Sequence, residues 1–311
     1  MPQAARAVSM SQRLPESIGG SRFAGVEIER VKDYWNARPC NVRHSPKPVG
    51  TRGYFEDVAR RKYFVEPHIP RFAEFARWRG KRVLEIGCGI GTDTIRFAQA
   101  GAHVTAVDIS ERALEIARRR AEVYGVDTVE FHCANAEELS AVVAPRAYDL
   151  VYSFGVVHHT PRPERVIEQI RQHYVRPGST LKLMVYHRYA WKVLWILLTC
   201  GHGAFWRLDD LIARYSEAES GCPITYTYSR KGVAGLLKGF RIIDLRVEHI
   251  FPYRIADYVR YRYVKTWYFR YMPSAMFRGL EARVGWHLCV TAKVSASDTL
   301  ERWRTRAPRN P

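Results

Sequence analysis

From about residue 80 the chain alternates short apolar runs with stretches whose apolar residues recur at helical spacing. The run Lys81-Arg-Val-Leu-Glu-Ile86 predicts a strand, and it stops at Gly87-Cys-Gly-Ile-Gly91. Residues 92–100 then carry Ile95, Phe97 and Ala98 in a helix-like register. Further strands are predicted at 103–107, 128–133, 148–154 and 180–186, with the last two at 241–247 and 286–294. Helices are predicted at 111–124, with Ser110 as N-cap, and around 163–174, where Arg176-Pro-Gly178 supplies the turn into the next strand. Strands that alternate with helices in this way are the signature of βαβ units and a parallel sheet.

Outside this alternation, residues 1–25 read as a loose leader, 26–79 as an N-terminal helical cap, and 295–311 as a basic, Pro-ended tail. The chain has 311 residues, of which 47% are hydrophobic, enough to bury a substantial core and too many for a disordered or collagen-like chain. The longest strongly apolar stretch, 193–198, falls well short of the roughly 18 residues of a spanning helix. The start lacks the continuous apolar core of a secretory signal. Six scattered cysteines form no C-x-x-C pair, which predicts reduced thiols, a cytoplasmic setting and no structural metal. Lys and Arg number 49 against 31 Asp and Glu, a net charge of +18 that favours anionic partners without choosing among nucleic acid, lipid and acidic metabolite.

The glycine turn carries the most specific chemistry. In Glu85-Ile-Gly87-Cys-Gly89-Ile-Gly91 the backbone can take conformations closed to other residues, so a ligand can lie directly on the chain at the start of the next helix. Asp108 ends the following strand, 17 residues after Gly91, near the spacing at which such an acid bonds ribose hydroxyls. A nicotinamide or flavin site would need a third glycine at position 92, where Thr92 stands. Glu85 would also repel a pyrophosphate, whereas a cationic ligand would welcome it.

Residues 83–92, Val-Leu-Glu-Ile-Gly-Cys-Gly-Ile-Gly-Thr, resemble the first motif of the class I S-adenosylmethionine-dependent methyltransferases, and the resemblance extends over roughly 80–190. Ala134-Asn-Ala-Glu137 is similar to that family's adenine segment, with Asn135 where the usual acid stands. The run from Tyr148 to Thr160 resembles the fourth motif of small-molecule members. The resemblance implies a Rossmann-like α/β fold, a seven-stranded mixed sheet with helices on both faces. It also implies S-adenosylmethionine as cofactor, held by Glu85, Gly87, Cys88, Gly89, Gly91, Asp108, Ile109, Asn135, Ala136, Glu137 and Ser153.

In open α/β sheets ligands lie at the carboxyl ends of the strands, so acceptor contacts are expected from the loops after the fourth and fifth strands and from added segments. Cap insertions are expected at about 187–240 and 251–285. Tyr34 and Trp35 could face the sulfonium, since aromatic faces attract cations, or simply pack a helix. His158, His159, Tyr186 and His187 are the candidate catalytic groups, with a loop histidine bonded to backbone as the bland alternative. The apolar run 191–198 suits a lid or a buried helix. The interleaved Tyr and Arg residues of 251–272 suit a substrate cap, a membrane-surface helix, an RNA platform or an oligomer contact, and Tyr261, Val264, Tyr268 and Tyr271 are expected on one helical face.

The sequence thus predicts an enzyme that passes a methyl group to a small, partly apolar or acidic acceptor, with no metal. An RNA methyltransferase and an inert cofactor-binding scaffold are the alternatives.

Overall fold

A computed structural model of the chain describes residues 23–217 and 221–294. The predicted leader up to residue 22 and the tail from 295 lie outside the described residues. Seven strands run β1 (Arg82–Ile86), β2 (His103–Asp108), β3 (Val129–Cys133), β4 (Leu150–Phe154), β5 (Thr180–His187), β7 (Phe240–Glu248) and β8 (His287–Val294). A two-residue strand, β6 (Thr227–Tyr228), lies between β5 and β7 in the chain. The sheet order is β3-β2-β1-β4-β5-β8-β7. The first five strands pair in parallel, and β8 pairs antiparallel with both β5 and β7.

Alternation along the strands explains the two-faced core. Leu84 and Ile86 of β1, with Val151 of β4 and Leu181, Leu183 and Val185 of β5, enter one apolar cluster. Val83, Leu150 and Tyr152 enter the cluster on the other face. Side chains with a period of two need helices on both sides of a sheet, which the crossover segments supply. Ser110 caps the helix Glu111–Tyr124 as predicted, accepting from the Ala113 amide at 3.1 Å, and Gly125 closes it at φ +64°.

Three elements depart from the sequence expectations. The helix after β4 is α-helical only over Pro163–Gln169 and widens into a π-helical turn over Ile170–Tyr174. The segment 251–272 is not one helix: it forms two short helices, Ile255–Tyr258 and Trp267–Arg270, joined through irregular chain with Tyr261 at φ +60°. The helical face expected for Tyr261, Val264, Tyr268 and Tyr271 therefore does not exist. Strand β6 is too short to be seen as a period-two pattern. It pairs in parallel with the end of β5, Tyr186 opposite Thr227 and His187 opposite Tyr228, beyond the point where β4 has stopped.

The region before β1 folds as helices Ile28–Ala37, Arg52–Val65 and Ile69–Ala73. Arg120, on the helix after β2, is buried and joins the helix Arg52–Val65 to the turn that follows β1. Its guanidinium donates to the carbonyls of Phe55 (3.2 Å) and Ile90 (3.1 Å) and to the Thr92 hydroxyl.

Candidate functional site

A cleft of about 230 Å³ opens along the carboxyl ends of β1, β2, β4 and β5. Its first wall is the glycine turn. Gly87, Gly89 and Gly91 take φ of +78°, +54° and +74°. A Cβ on Gly87 would lie 2.0 Å from Val156 Cγ2, so the close approach of the loop after β4 depends on the absent side chain. A Cβ on Gly89 would meet nothing within 4 Å, because that residue faces the open cleft. The amides of Gly87 and Cys88 donate to the Val107 carbonyl at 2.7 and 3.0 Å, which ties the turn to β2.

Asp108 stands at the end of β2 and lines the cleft. Its two carboxylate oxygens accept from the backbone amides of Gly89 (2.7 Å) and Ser110 (2.8 Å). Burial raises its pKa, and the amides pull against that shift. The Ile109 amide also lies against this carboxylate, which with about four acceptor sites keeps one for a ligand. Ile109, Asn135 and Ala136 line the same end, and the Asn135 side chain accepts from the Glu137 amide at 3.0 Å.

Several residues singled out in the sequence stand away from the cleft surface. The buried Glu85 sits under the glycine turn, where its carboxylate accepts from Thr94 Oγ1 at 2.6 Å. Burial raises its pKa to about 8, with the neighbouring Asp93 adding to the effect. Glu137 faces Arg162 instead, accepting from its backbone amide at 2.7 Å and its Nε at 2.8 Å. Ser153 is buried within β4. Tyr34 packs edge-on against Trp35 with Arg38 over its ring, so only Trp35 of that pair reaches the cleft. His187 points into backbone, its Nδ1–H donating to the Gly285 carbonyl at 3.2 Å. His158 lies behind the cleft wall with its ring centroid 3.9 Å from that of Tyr186, and burial holds its pKa well below the usual imidazole range.

His159 and Tyr186 do line the cleft. His159 Nδ1–H donates to the Ile224 carbonyl at 2.7 Å, and its Nε2 faces Glu217 at 3.9 Å. Tyr186 donates its hydroxyl to the same Glu217 carboxylate at 2.6 Å. Burial opposes charge on His159, but the Cys222 sulfur, Glu217 and the Ile224 carbonyl outweigh it and raise the pKa to about 9. The shift favours the protonated imidazole near neutral pH, the form in which both ring nitrogens donate.

The structure adds residues that sequence reasoning did not find. Phe154, Met184, Lys62, Glu66, Glu217 and His287 line the acceptor end. Lys62 pairs with the buried Asp93 at 2.8 Å, and Tyr63 and Tyr152 donate their hydroxyls to the same carboxylate. Burial pushes Glu66 up to about 7. Phe154 could have been anticipated, since it ends β4; Met184 lies opposite it within β5, where β4 stops. Lys62, Glu66, Glu217 and His287 come from distant segments with no local motif.

The strand order, the antiparallel β8 and the glycine turn facing an acid across β1 and β2 are those of the class I S-adenosylmethionine-dependent methyltransferase fold, and the part of the chain that carries the glycine turn and Asp108 is a methyltransferase domain of the kind that binds S-adenosylmethionine. Residues 83–178 match the family model described as a methyltransferase domain. The chain is 43% identical over 100 residues to a ubiquinone biosynthesis O-methyltransferase of Aromatoleum aromaticum, covering 32% of this chain and 42% of that protein. It is 35% identical over 156 residues to the enzyme of the same name from Methylocella silvestris, covering 48% of this chain and 58% of that one. The chain thus spans about half the length of the curated relatives it matches. Among solved structures, the magnesium protoporphyrin IX methyltransferase of Synechocystis with bound S-adenosylhomocysteine shares the fold at a TM-score of 0.55 and 18% identity, covering 86% of this chain and 100% of that one.

Proposed function

We propose that this chain is an enzyme that transfers the methyl group of S-adenosylmethionine to an oxygen of a small, largely apolar ring compound, the chemistry named for its ubiquinone-pathway relatives. The observation that carries this reading is one continuous cleft. The glycine turn and Asp108 stand at one end, and Phe154, Met184, Tyr186, His159 and His287 stand at the other. The first end suits a nucleoside, with Asp108 on the ribose hydroxyls, the 134–136 segment beside the adenine and Trp35 toward the sulfonium. The second suits a flat apolar acceptor with a few polar contacts. The sulfonium is an activated methyl donor, so holding acceptor and methyl in line supplies much of the acceleration. The unpaired cysteines fit work in the cytoplasm.

The aromatic segment 251–272 gives less support to an RNA acceptor. Tyr258, Tyr261 and Tyr263 surround the buried Arg61, and Tyr253 and Tyr263 pack on Phe64, so these rings are occupied within the chain.

Calorimetric titration with S-adenosylmethionine, followed by incubation with radiolabelled cofactor and a panel of phenolic and quinol acceptors, tests the reading. Saturable binding, weakened at least tenfold by Asp108→Ala, and label in the acceptor's ether carbon are expected. Absence of cofactor binding, or binding with no transfer to any small molecule, defeats it.

A further inference from the structure

Next to the acceptor end, three segments far apart in sequence bring together Glu66, from the turn after helix Arg52–Val65, His249, just past β7, and His287, the first residue of β8. One donor atom from each lies within 4.8 Å of the other two, and His287 Nε2 stands 3.7 Å from Glu66 Oε1. Both histidines are buried, and Glu66 and His287 open onto the cleft. We propose that Glu66, His249 and His287 form a binding site for a divalent first-row transition metal, Zn²⁺ foremost, with its open position facing the acceptor.

Two imidazoles and a carboxylate are the donor set of open, three-ligand zinc sites. Ligands at metal distances of about 2.0–2.2 Å lie roughly 3–4 Å from one another, so these donors need to close by only about 1 Å. A second layer is already present. His68 Nε2 lies 3.0 Å from His287 Nδ1. With His287 Nδ1–H donating to His68, the tautomer is fixed and the lone pair of His287 Nε2 is left for the metal, as outer partners do for ligating histidines. Backbone at His249 is bent to φ +71°, in the left-handed region that a histidine seldom adopts, and its carbonyl accepts from the Trp286 amide at 2.7 Å. That bend sets His249 beside His287, with ring centroids 4.6 Å apart. Residues separated as 66, 249 and 287 leave no spacing motif, which is why the sequence predicts no metal.

The site stands on this geometry alone; its part in catalysis rests on the methyl transfer proposed above. An acceptor hydroxyl bound to the metal would lose its proton to water. The oxygen's lone pair would then form the O–CH₃ bond as the S–CH₃ bond breaks, leaving that electron pair on sulfur.

The test uses the full chain, dialysed against Zn²⁺ and then metal-free buffer, with zinc counted by mass spectrometry and Co²⁺ substitution followed by visible d–d absorption. About one metal per chain is expected, with uptake lowered at least tenfold in His249→Asn and in Glu66→Gln. Asparagine tolerates the left-handed backbone at 249, and His249 does not line the cleft, so His249→Asn should keep its circular dichroism and its cofactor binding. A wild-type chain that binds S-adenosylmethionine yet takes up no more metal than His249→Asn overturns the proposal and leaves the cluster as a chain of hydrogen-bonded imidazoles. Metal uptake without cofactor binding would defeat the methyltransferase reading and leave the site standing.

Discussion

At residue scale, Gly87 is the most constrained position of the cleft. A methyl group there must displace Val156 and hold φ +78° as well. Left-handed strain alone costs about 1–3 kcal/mol. Gly87→Ala is therefore expected to lower the melting temperature and to weaken S-adenosylmethionine at least tenfold by calorimetry, while Gly125→Ala, where a Cβ meets nothing, should lose stability without losing the cofactor. His159 gives a pH prediction. Its folded pKa is raised from 6.5 to about 9, so its contribution to stability is complete below pH 6.5, falls between there and pH 9, and is gone above that. Denaturant unfolding at about pH 6 and about pH 9.5 should show this decline, and His159→Gln should flatten it. His159 also marks the limit of sequence reading. Its place after β4 was legible, and so was an imidazole at the cleft. Its charge was not, because Glu217 and Cys222 arrive from a segment some sixty residues away. His158, the neighbouring residue, looks equivalent in sequence, yet it packs behind Tyr186 and does not line the cleft.

At the scale of elements, the strands of the parallel half were legible because each is an apolar run between turn residues, and the glycine turn and Asp108 followed from strand ends. The added segments were not, since irregular chain carries no period. The segment 251–266 is instead gathered around one buried side chain, beside its packing on Phe64 and its own backbone bonds. Arg61 lies 4.0, 4.5 and 5.9 Å from the rings of Tyr258, Tyr261 and Tyr263 and donates to the Tyr258 carbonyl at 2.6 Å. Arg61→Met should cost about 1–3 kcal/mol. Limited proteolysis should then cut within 251–266 before the sheet unfolds; cleavage unchanged from wild type would show that Phe64 and its neighbours suffice to hold it.

For the whole molecule, the cofactor cleft is bounded by parts that meet only in the folded chain: the N-terminal helices, the sheet ends and Glu217. A ligand that binds only this assembly stabilises it by mass action, about 2.7 kcal/mol at a hundredfold excess over its dissociation constant. For a chain of this size that corresponds to a rise of roughly 4 °C in melting temperature. The rise should grow with S-adenosylmethionine concentration and fall to about half or less in Gly87→Ala at the same concentration. Among the described residues no helix is long and apolar enough to cross a membrane.

The short pairing of β6 with β5 has a bearing on how such a protein diversifies. Chain leaves the sheet after His187 and rejoins the same strand at Thr227, where the Arg188 amide donates to the Tyr228 carbonyl at 3.0 Å. The described residues between include the helices Trp191–Thr199 and Leu208–Tyr215, the two feet of the excursion are stapled side by side, and closing such an excursion costs little more when it is lengthened. The outer part of that stretch is a natural cassette: residues 191–215 exchanged for those of a relative, with Glu217, Cys222, Ile224 and Tyr226 kept, should leave the scaffold folded and loaded while redirecting which molecule is modified.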